Sequence, residues 1–320
     1  MKKKRLLLSL IFISIVMLLS GCDSKLAVLN PKGPVAKTQA NTIIFSILMM
    51  AFVLIVVYIL YIIMLTKYRA SKTSDDYEPP HIEGNKWLEL TWTAIPVIIV
   101  AILSVVTVQT TYAVEKVPAG YEDQKPLVIY ASSSDWKWHF SYPEEGIETV
   151  NYVNIPTNRP VEFRLYSYGP ITSFWVPQLG GQKYAMTDMI TKLNLVAEHE
   201  GSYLGKNANF SGKGFAKMEF EVQAQSPGDY TKWVNDVKQT APKLTEQEFN
   251  TLLKTDFVGR KSYSSTHLGF APPPEGDMAG HQHGGDSKTE KDSGSENMDH
   301  MNHDMSGMDM SGSSSMEHGH

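Results

Sequence analysis

Two long apolar stretches without a charged residue constrain this chain more than any other feature, one from Ile43 to Leu65 and one from Trp92 to Val108. A helix needs roughly 20 mostly apolar residues to cross a bilayer. Two buried core helices are the alternative, but a chain of 320 residues has no soluble core able to bury both. Aromatic residues lie toward the ends of the stretches, as is typical of membrane interfaces: Tyr58, Tyr61, Tyr68, Trp87, Trp92 and Tyr112. The sequence therefore predicts a membrane α-helical hairpin with spans at 42–66 and 88–113.

The N-terminus has the design of an export signal. Basic residues at 2–5 precede an apolar run from Leu6 to Leu19, the order found in secretory signal peptides. The run ends in Leu19-Ser20-Gly21-Cys22, which resembles the lipobox of bacterial lipoproteins, where the cysteine is lipidated. A plain signal anchor with an accidental cysteine is the alternative. We expect 1–21 to be a signal peptide, Cys22 to carry lipid, and 22–41 to lie outside the membrane.

The loop between the two spans, residues 67–87, indicates the orientation of the hairpin. It carries Lys67, Arg69 and Lys72, and an excess of Lys and Arg is typical of cytoplasmic loops. Acidic residues in the same loop weaken this bias. With a lipid-bearing N-terminus outside, the first span runs inward and the second returns outward. The sequence thus predicts a multi-pass lipoprotein of a bacterial cell membrane, with everything after about Tyr112 on the outer face.

Glu89 lies at the inner start of the second span. Ionisable residues at membrane depth are costly and often functional, which makes Glu89 a candidate site residue. An interfacial carboxylate that lipid headgroups simply solvate is the alternative.

Apolar and polar residues alternate after Pro126, which is the period of β-strands. Residues 160–166 and 218–223 alternate cleanly. Further strand candidates, separated by Pro, Gly and Asn, are 127–131, 136–142, 152–155, 173–176 and 192–197. Short strands of this kind predict an all-β sandwich or barrel at 122–225.

A helical pattern follows the β-region at 226–262 and predicts two short helices. Thr245 and Glu248 there are spaced as a capping box, with Thr245 as the N-cap of the second helix. We expect these helices to pack on the sandwich or on a partner chain.

The final segment, residues 272–320, is polar, low in complexity and rich in Met and His, so we expect it to be disordered. Imidazole and thioether groups suit copper, and His300, Met301, His303 and Met305 are weak candidates for capturing it. A solvated extension without a specific ligand is the alternative. The formal net charge of −5 argues against nucleic acid as a partner.

Four stretches of this chain resemble subunit II of haem–copper respiratory oxidases. They are Leu88–Pro96 at the start of the second span, the aromatic cluster Asp135–Tyr142, the segment Thr172–Gly180, and Gly201–Met218. The similarity extends over residues 40–260. It implies that the β-region is a cupredoxin-like domain on the outer face of the membrane.

In the cytochrome c-oxidising members of that family, subunit II holds a two-copper centre bound by His, Cys, Met and a Glu carbonyl. The corresponding positions of this chain are Thr172, Asn207, Asn209, Ser211, Phe215 and Met218. Copper electron-transfer sites need thiolate and imidazole ligands, and among these positions only Met218 could coordinate copper well. Met218 also alternates with charged residues, so we expect it in the core. The resemblance therefore implies no metal in this domain.

The loop Asn207–Phe215 resembles the corresponding loop of bacterial quinol oxidases of the cytochrome aa3 type. The resemblance implies a quinol:O2 oxidoreductase of the aerobic respiratory chain, which reduces oxygen to water and moves protons outward. This chain would be a non-catalytic subunit without a cofactor of its own. Haems, the catalytic copper and the main quinol site would lie in subunit I. The implied partners are that haem-bearing subunit, smaller membrane subunits and membrane lipid.

The resemblance also implies roles for single residues. Trp136 and Trp138 are expected on one side of a strand, in packing or in contact with subunit I. His139 faces the opposite side and is expected to be structural or exposed rather than a ligand. The family carries a Glu at the Glu89 position, near the mouth of a proton-uptake route, which favours a proton-path role for Glu89.

Two other functions stay open. The Met/His-rich tail also fits a membrane-tethered copper-binding or copper-delivery lipoprotein, although the two spans and the segment Trp92–Pro96 argue against it. A cytochrome c oxidase subunit with a mutated copper site is the other, and the missing cysteine pair argues against that.

Overall fold

The computed structural model describes residues 26–67 and 84–276. Two long helices, α1 (Pro34–Lys67) and α2 (Lys86–Glu115), precede a β-domain. The predicted lipidation site and the predicted copper-capture residues lie outside the described residues: Cys22, His300, Met301, His303 and Met305.

Both long helices have the length and apolar composition needed to cross a membrane. They extend beyond the predicted spans, since α1 begins at Pro34 and α2 ends at Glu115. Proline suits the first helical position because its missing N–H would have no partner there. The side chain of Asn85 caps α2 by accepting bonds from the backbone N–H groups of Trp87 and Leu88. Several hydroxyl groups donate to carbonyls one turn earlier, so they need no partner in the lipid.

Two mixed sheets form the β-domain. Their strands are β1 (Leu127–Ser134), β2 (Lys137–Tyr142), β3 (Ile147–Val150), β4 (Tyr152–Pro156), β5 (Val161–Ser167), β6 (Thr172–Trp175), β7 (Lys183–Ala185), β8 (Thr191–Leu195), β9 (Gly201–Asn207), β10 (Glu219–Gln225) and β11 (Lys261–Tyr263). The strand orders are β11-β3-β2-β1-β5-β8 and β4-β10-β9-β6-β7. Strands β1 and β5 pair in parallel, as do β4 and β10. For the described residues, this sandwich behind two apolar helices confirms the predicted fold class.

Aromatic side chains fill the space between the two sheets. Phe174 of β6 and Phe220 of β10 stack with their ring centroids 4.9 Å apart. Trp138 of β2 meets both rings edge-on, at centroid distances of 5.3 and 5.7 Å. Period-two alternation therefore points Trp138 and Phe140 into the core, and Met218 is buried there as well.

Four strands, β3, β7, β9 and β11, are not predicted from the sequence because they are short or rich in Gly and polar residues. Trp136 is predicted at the start of a strand, and this is wrong. Strands β1 and β2 pair as far as Ser134 opposite Lys137, so Asp135 and Trp136 form the turn between them. Trp136 and Trp138 therefore do not share a strand, and strand alternation does not relate their directions.

Two short helices follow the sandwich, α3 (Pro227–Thr240) and α4 (Glu246–Lys254). Thr245 caps α4 as predicted, because its hydroxyl accepts a bond from the backbone N–H of Glu248 at 3.2 Å. In a capping box, the Glu248 carboxylate would accept a bond from the backbone N–H of Thr245, but here it bonds to other residues. It accepts bonds from Lys261 Nζ at 3.1 Å and from the Tyr263 hydroxyl at 3.0 Å. Helix α4 is thereby tied to β11 at the edge of the first sheet.

The segment before α1 joins the hairpin to the sandwich through backbone hydrogen bonds. The N–H of Lys32 donates to the carbonyl of Gln178 at 2.7 Å, and the carbonyl of Lys32 accepts from the N–H of Glu198 at 2.9 Å. Gly33 lies next to this seam. A Cβ added to Gly33 would overlap the carbonyl oxygen of Val196, so the close approach requires glycine.

Replacing Gly33 by Ala should weaken the seam, because a backbone carbonyl cannot move aside as a flexible side chain could. Overpacking costs about 1–3 kcal/mol, and we expect the free energy of unfolding to fall by that amount. Near-UV circular dichroism of the full chain in detergent during denaturation measures it. Gly259→Ala is the matched control, since nothing lies within 4 Å of a Cβ added there. Equal stability of the two variants would contradict the close approach.

Candidate functional site

The loop between β9 and β10 is the candidate site, because it contains most of the positions at which related oxidases bind copper. Asn207 ends β9, and Met218 directly precedes β10. The N–H of Asn207 donates to the carbonyl of Met218 at 3.0 Å, which closes the base of the loop. Thr172, the remaining position, lies at the start of β6, and β6 pairs with β9.

The side-chain carboxamide of Asn207 organises this loop. Its Oδ1 accepts bonds from the backbone N–H groups of Ser173 at 2.9 Å and Asn209 at 3.0 Å. Its Nδ2 donates to Ser211 Oγ at 2.9 Å and to the Met218 sulfur at 3.6 Å. A carboxamide offers two acceptor and two donor positions, and all of them are used here. Neutral hydrogen bonds therefore occupy the centre of the loop.

The other positions also bond to their neighbours. The Thr172 hydroxyl lies 2.7 Å from the Ser133 hydroxyl, and Asn209 Nδ2 donates to the carbonyl of Ile171 at 2.8 Å. The side chain of Phe215 has no atom that could bind a metal. Hydroxyl and amide groups are poor copper ligands beside thiolate and imidazole, so this set does not fit a two-copper centre. In residues 26–67 and 84–276, no group of three or more His, Cys, Asp or Glu is arranged to bind a metal.

Trp136 covers one side of the loop. Its indole packs on Gly212 and Gly214, where any added Cβ would overlap the ring. The backbone N–H of Trp136 donates to the carbonyl of Asp256 at 2.8 Å. The β1–β2 turn, the candidate loop and the segment after α4 thus meet at this indole, which has a packing role.

A second polar site lies on the other face of β2. It consists of five buried side chains, which we call the Glu148 cluster: His139, Ser141, Glu148, Tyr166 and His267. Glu148 Oε2 accepts bonds from Ser141 Oγ at 2.8 Å, from the His267 backbone N–H at 2.9 Å and from His267 Nδ1 at 2.7 Å. His267 Nε2 lies 2.7 Å from the Tyr166 hydroxyl. The cluster joins β3 to a segment 119 positions later in the chain.

His139 and Glu148 each have one buried atom without a hydrogen-bond partner among the described residues, Nδ1 of His139 and Oε1 of Glu148. His139 Nε2 lies 3.0 Å from Ser134 Oγ, but its Nδ1 is 3.7 Å from Glu148 Oε1, which is too far for a hydrogen bond. Burial lowers the pKa of His139 well below its ordinary value, and the nearby His267 and Lys137 lower it further. His139 is therefore neutral in the folded domain and has a structural role.

Sequence analysis misses the Glu148 cluster. The one local signal is that His139 and Ser141 share a face of β2, which indicates a polar partner for that face. Glu148 lies on β3, which was not predicted, and His267 begins a short 3-10 turn after β11. Sheet register brings the four strand residues together, and the segment after β11 adds His267.

Glu89 lies in the first turn of α2, where its backbone N–H donates to the carbonyl of Asn85 at 3.0 Å. A carboxylate near a helix N-terminus is favoured by the helix dipole, so this position also has a structural explanation. The other end of α2 reaches the sandwich, where Glu115 pairs with Lys183 at 2.8 Å. At 1.5 Å per residue, Glu89 is about 40 Å from that contact. The structure therefore separates Glu89 from the candidate loop.

Known proteins similar to this chain include oxidase subunits. The family described as "Cytochrome C oxidase subunit II, transmembrane domain" matches residues 31–110. "Quinol oxidase subunit 2" of Bacillus anthracis is 53% identical over 267 residues, covering 83% of this chain and 92% of that protein. The protein of the same name from Bacillus subtilis (strain 168) is 48% identical over 265 residues, covering 82% of each chain. The periplasmic domain of subunit II of cytochrome oxidase (CoxB) of Bradyrhizobium japonicum is 21% identical, covering 35% of this chain and 94% of that chain, with a TM-score of 0.35.

The depressed pKa of His139 predicts a loss of stability in acid. Below the unfolded-state pKa of about 6.5, the unfolded chain binds a proton that the folded domain does not, so unfolding becomes easier as the pH falls. From about pH 7.5 to about pH 5.5, this one site should lower the free energy of unfolding by roughly 1 kcal/mol. Denaturant titrations of the full chain in detergent at both pH values measure the change.

His139→Gln should remove that part of the pH dependence, because glutamine does not titrate. The matched control is His199→Gln, which changes an exposed histidine. If His139→Gln and the unchanged chain lost the same stability between the two pH values, the neutral state assigned to His139 would be wrong.

Proposed function

The chain belongs to the quinol oxidase subunit 2 family, and on this basis we propose that it is the non-catalytic second subunit of a quinol:O2 oxidoreductase in an aerobic respiratory chain. The complex oxidises a membrane quinol, reduces oxygen to water and moves protons outward. The observation that carries the proposal is the candidate loop, where the Asn207 carboxamide bonds to Ser173, Asn209, Ser211 and Met218.

This loop bears on the electron donor. A water-soluble donor such as cytochrome c needs a metal near the outer surface to receive its electrons. Neutral amides and hydroxyls cannot take up an electron, and they are poor ligands for the copper that could. A quinol is dissolved in the membrane and can deliver electrons there directly. The hydrogen-bonded loop therefore supports a quinol as the donor and a subunit without a redox metal of its own.

The hairpin supports assembly with other membrane chains. Large apolar side chains are exposed along both helices, among them Leu54, Ile59, Ile98 and Val105. Lipid tails and the helices of other subunits are the surroundings that such faces tolerate. We propose that a haem-bearing subunit I, smaller membrane subunits and lipid cover them. The haems and the catalytic copper belong to subunit I.

The N-terminal signal supports an outer location for the sandwich. If Cys22 becomes a lipidated N-terminus after removal of residues 1–21, α1 runs inward and α2 runs outward. The sandwich, which follows α2, then lies on the outer face. Lipidation gives the chain a third attachment to the membrane beside its two spans, and it leaves no free thiol in the mature protein, since Cys22 is the single cysteine.

We propose that Glu89 lies at the entrance of a proton path. Glu89 lies in the first turn of α2. With α2 running outward, as proposed above, this turn is at the inner membrane surface, where a negative charge concentrates protons locally. The side chain is exposed, so it can exchange protons with water and pass them to subunit I. Oxygen reduction consumes protons. A chain that contacts the haem-bearing subunit I can supply them to it from the inner side.

Donor choice tests the proposed function. The purified complex should consume oxygen with a quinol as reductant and should not respond to reduced cytochrome c, because this subunit lacks a receiving copper. Metal analysis of the separated chain should find no two-copper centre, and the chain should lack the near-infrared absorption band of such a centre. Turnover with cytochrome c in place of quinol, or a two-copper signal in this chain, would reject the proposal.

Replacing Glu89 by Gln should slow oxygen consumption about two- to tenfold. This is less than the loss of a proton-transferring group at a reaction centre, because water can partly replace an entrance residue. Glu89→Asp should restore most of the rate, whereas Glu219→Gln, on the exposed surface of the sandwich, should change nothing. Proton uptake by the complex in liposomes provides the second readout. Full turnover and proton uptake in Glu89→Gln would remove this residue from the path.

A further inference from the structure

A cleft with a volume of about 440 Å³ opens where the ends of α1 and α2 meet the sandwich. Its walls include Gln39 and Ile43 of α1, Thr111 of α2, Trp175 at the end of β6, and Gln182 just before β7. No charged side chain is among the residues that line it. We call this space the junction cleft.

The junction cleft continues into a smaller recess with which it shares Gln39 and Gln182. Asn194 lines the recess, and its buried Oδ1 has no hydrogen-bond partner in the described part of the chain. Glu115 and Lys183 also line the recess, but they neutralise each other in an ion pair of 2.8 Å. Lys192 lines the recess as well, so the recess adds an unused acceptor and one lysine beyond that ion pair.

Several polar groups of the cleft remain available for a ligand. Within residues 26–67 and 84–276, the Gln39 carboxamide and the Thr111 hydroxyl make no hydrogen bond. By contrast, the Thr42 hydroxyl already donates to the carbonyl of Thr38 at 2.9 Å. The free amide and hydroxyl groups can both donate and accept, which suits a ligand that carries neutral hydroxyl or carbonyl groups.

The depth of the cleft identifies its ligand as a membrane amphiphile. Ile43 begins the apolar stretch of α1, and Thr111 follows the apolar stretch of α2, so the cleft lies at the boundary of the hydrocarbon layer. The Trp175 ring forms one wall, and Lys206 lies 5.0 Å from its centroid. Because Trp175 lines the cleft, a ligand head can lie against this aromatic side chain while its apolar tail extends along the helices.

We propose that the junction cleft binds the head ring of a membrane quinol. This inference rests on the proposed function, which makes a quinol available as the substrate of the complex. A quinol head is a flat, uncharged ring with two hydroxyl groups, and its tail is apolar. A phospholipid headgroup would bring a phosphate to a cleft whose own lining residues include no charged side chain, and this lining favours the quinol over phospholipid. The proposal concerns binding only: the cleft holds quinol close to the surface before it reaches its site of oxidation.

Photolabelling of the intact oxidase in lipid nanodiscs tests whether the junction cleft binds quinol. The probe is a quinone that carries an azido group on its ring. The bound quinone is reduced to the quinol, and illumination then attaches it covalently to the protein. Mass spectrometry identifies the labelled peptides. We expect label on peptides from the two helix ends and β6, displaced by excess unlabelled quinol. Gln39→Leu and Thr111→Val should each reduce the labelling about three- to tenfold, the loss of one hydrogen bond. Gln109→Leu, on α2 but outside the cleft lining, is the matched control.

Two outcomes would overturn the inference. One is label that avoids these peptides, or label on them that neither competitor nor variant reduces. The other is a photo-crosslinking residue at position 111 that reacts with a partner chain, since that chain would then fill the cleft. Either result together with normal quinol oxidation would reject the cleft and keep the proposed function. A complex that cannot oxidise quinol would instead reject the proposed function itself.

Discussion

The buried carboxylate of Glu148 is the constraint on which the sandwich depends. A carboxylate removed from water costs several kcal/mol unless hydrogen bonds replace its hydration, and here Ser141 and His267 supply them to Oε2. The buried Oε1 has no hydrogen-bond partner among the described residues, so the bonds to Oε2 carry the whole compensation. Because His267 contributes both its ring and its backbone N–H, the segment after β11 cannot leave without exposing an unpaired acid in the core. Glu148 therefore fixes the position of the whole C-terminal end of the domain, including α4, whose Phe249 stacks on the His267 ring at 4.4 Å.

The candidate loop follows the same principle with neutral groups. A metal centre can hold a loop together through its coordination bonds, and a loop without one needs another source of order. Asn207 provides it, because one buried carboxamide bonds to β6, to the loop and to the Met218 sulfur. Trp136 then covers the two glycines of the loop. The scaffold thus keeps a defined loop between β9 and β10 through hydrogen bonds and aromatic packing.

Local patterns in the sequence predict the parts of this fold that depend on local physics. The charge-free stretches give the hairpin, alternation gives β1, β2, β5 and β10, and Thr245 gives the start of α4. The short strands β3, β7 and β11 carry too few residues for a period to emerge, and pairing with distant strands determines them. The Glu148 cluster is hidden for the same reason, since strand pairing and the packing of the segment after β11 bring its members together. Trp136 was misplaced because alternation alone does not show where two strands must turn.

The junction between hairpin and sandwich is fixed at two points, and this geometry produces the cleft. Backbone bonds of Lys32 hold the start of α1, and the Glu115–Lys183 pair holds the end of α2. Two round helices that meet a sheet edge leave a space between them, but the geometry does not require that space to be neutral. Lys and Arg extend readily to water at this depth and could line it at little cost. The cleft itself is lined by uncharged residues, among them Gln39 and Thr111, and this lining matches the uncharged hydroxylated ring and apolar tail of the proposed ligand.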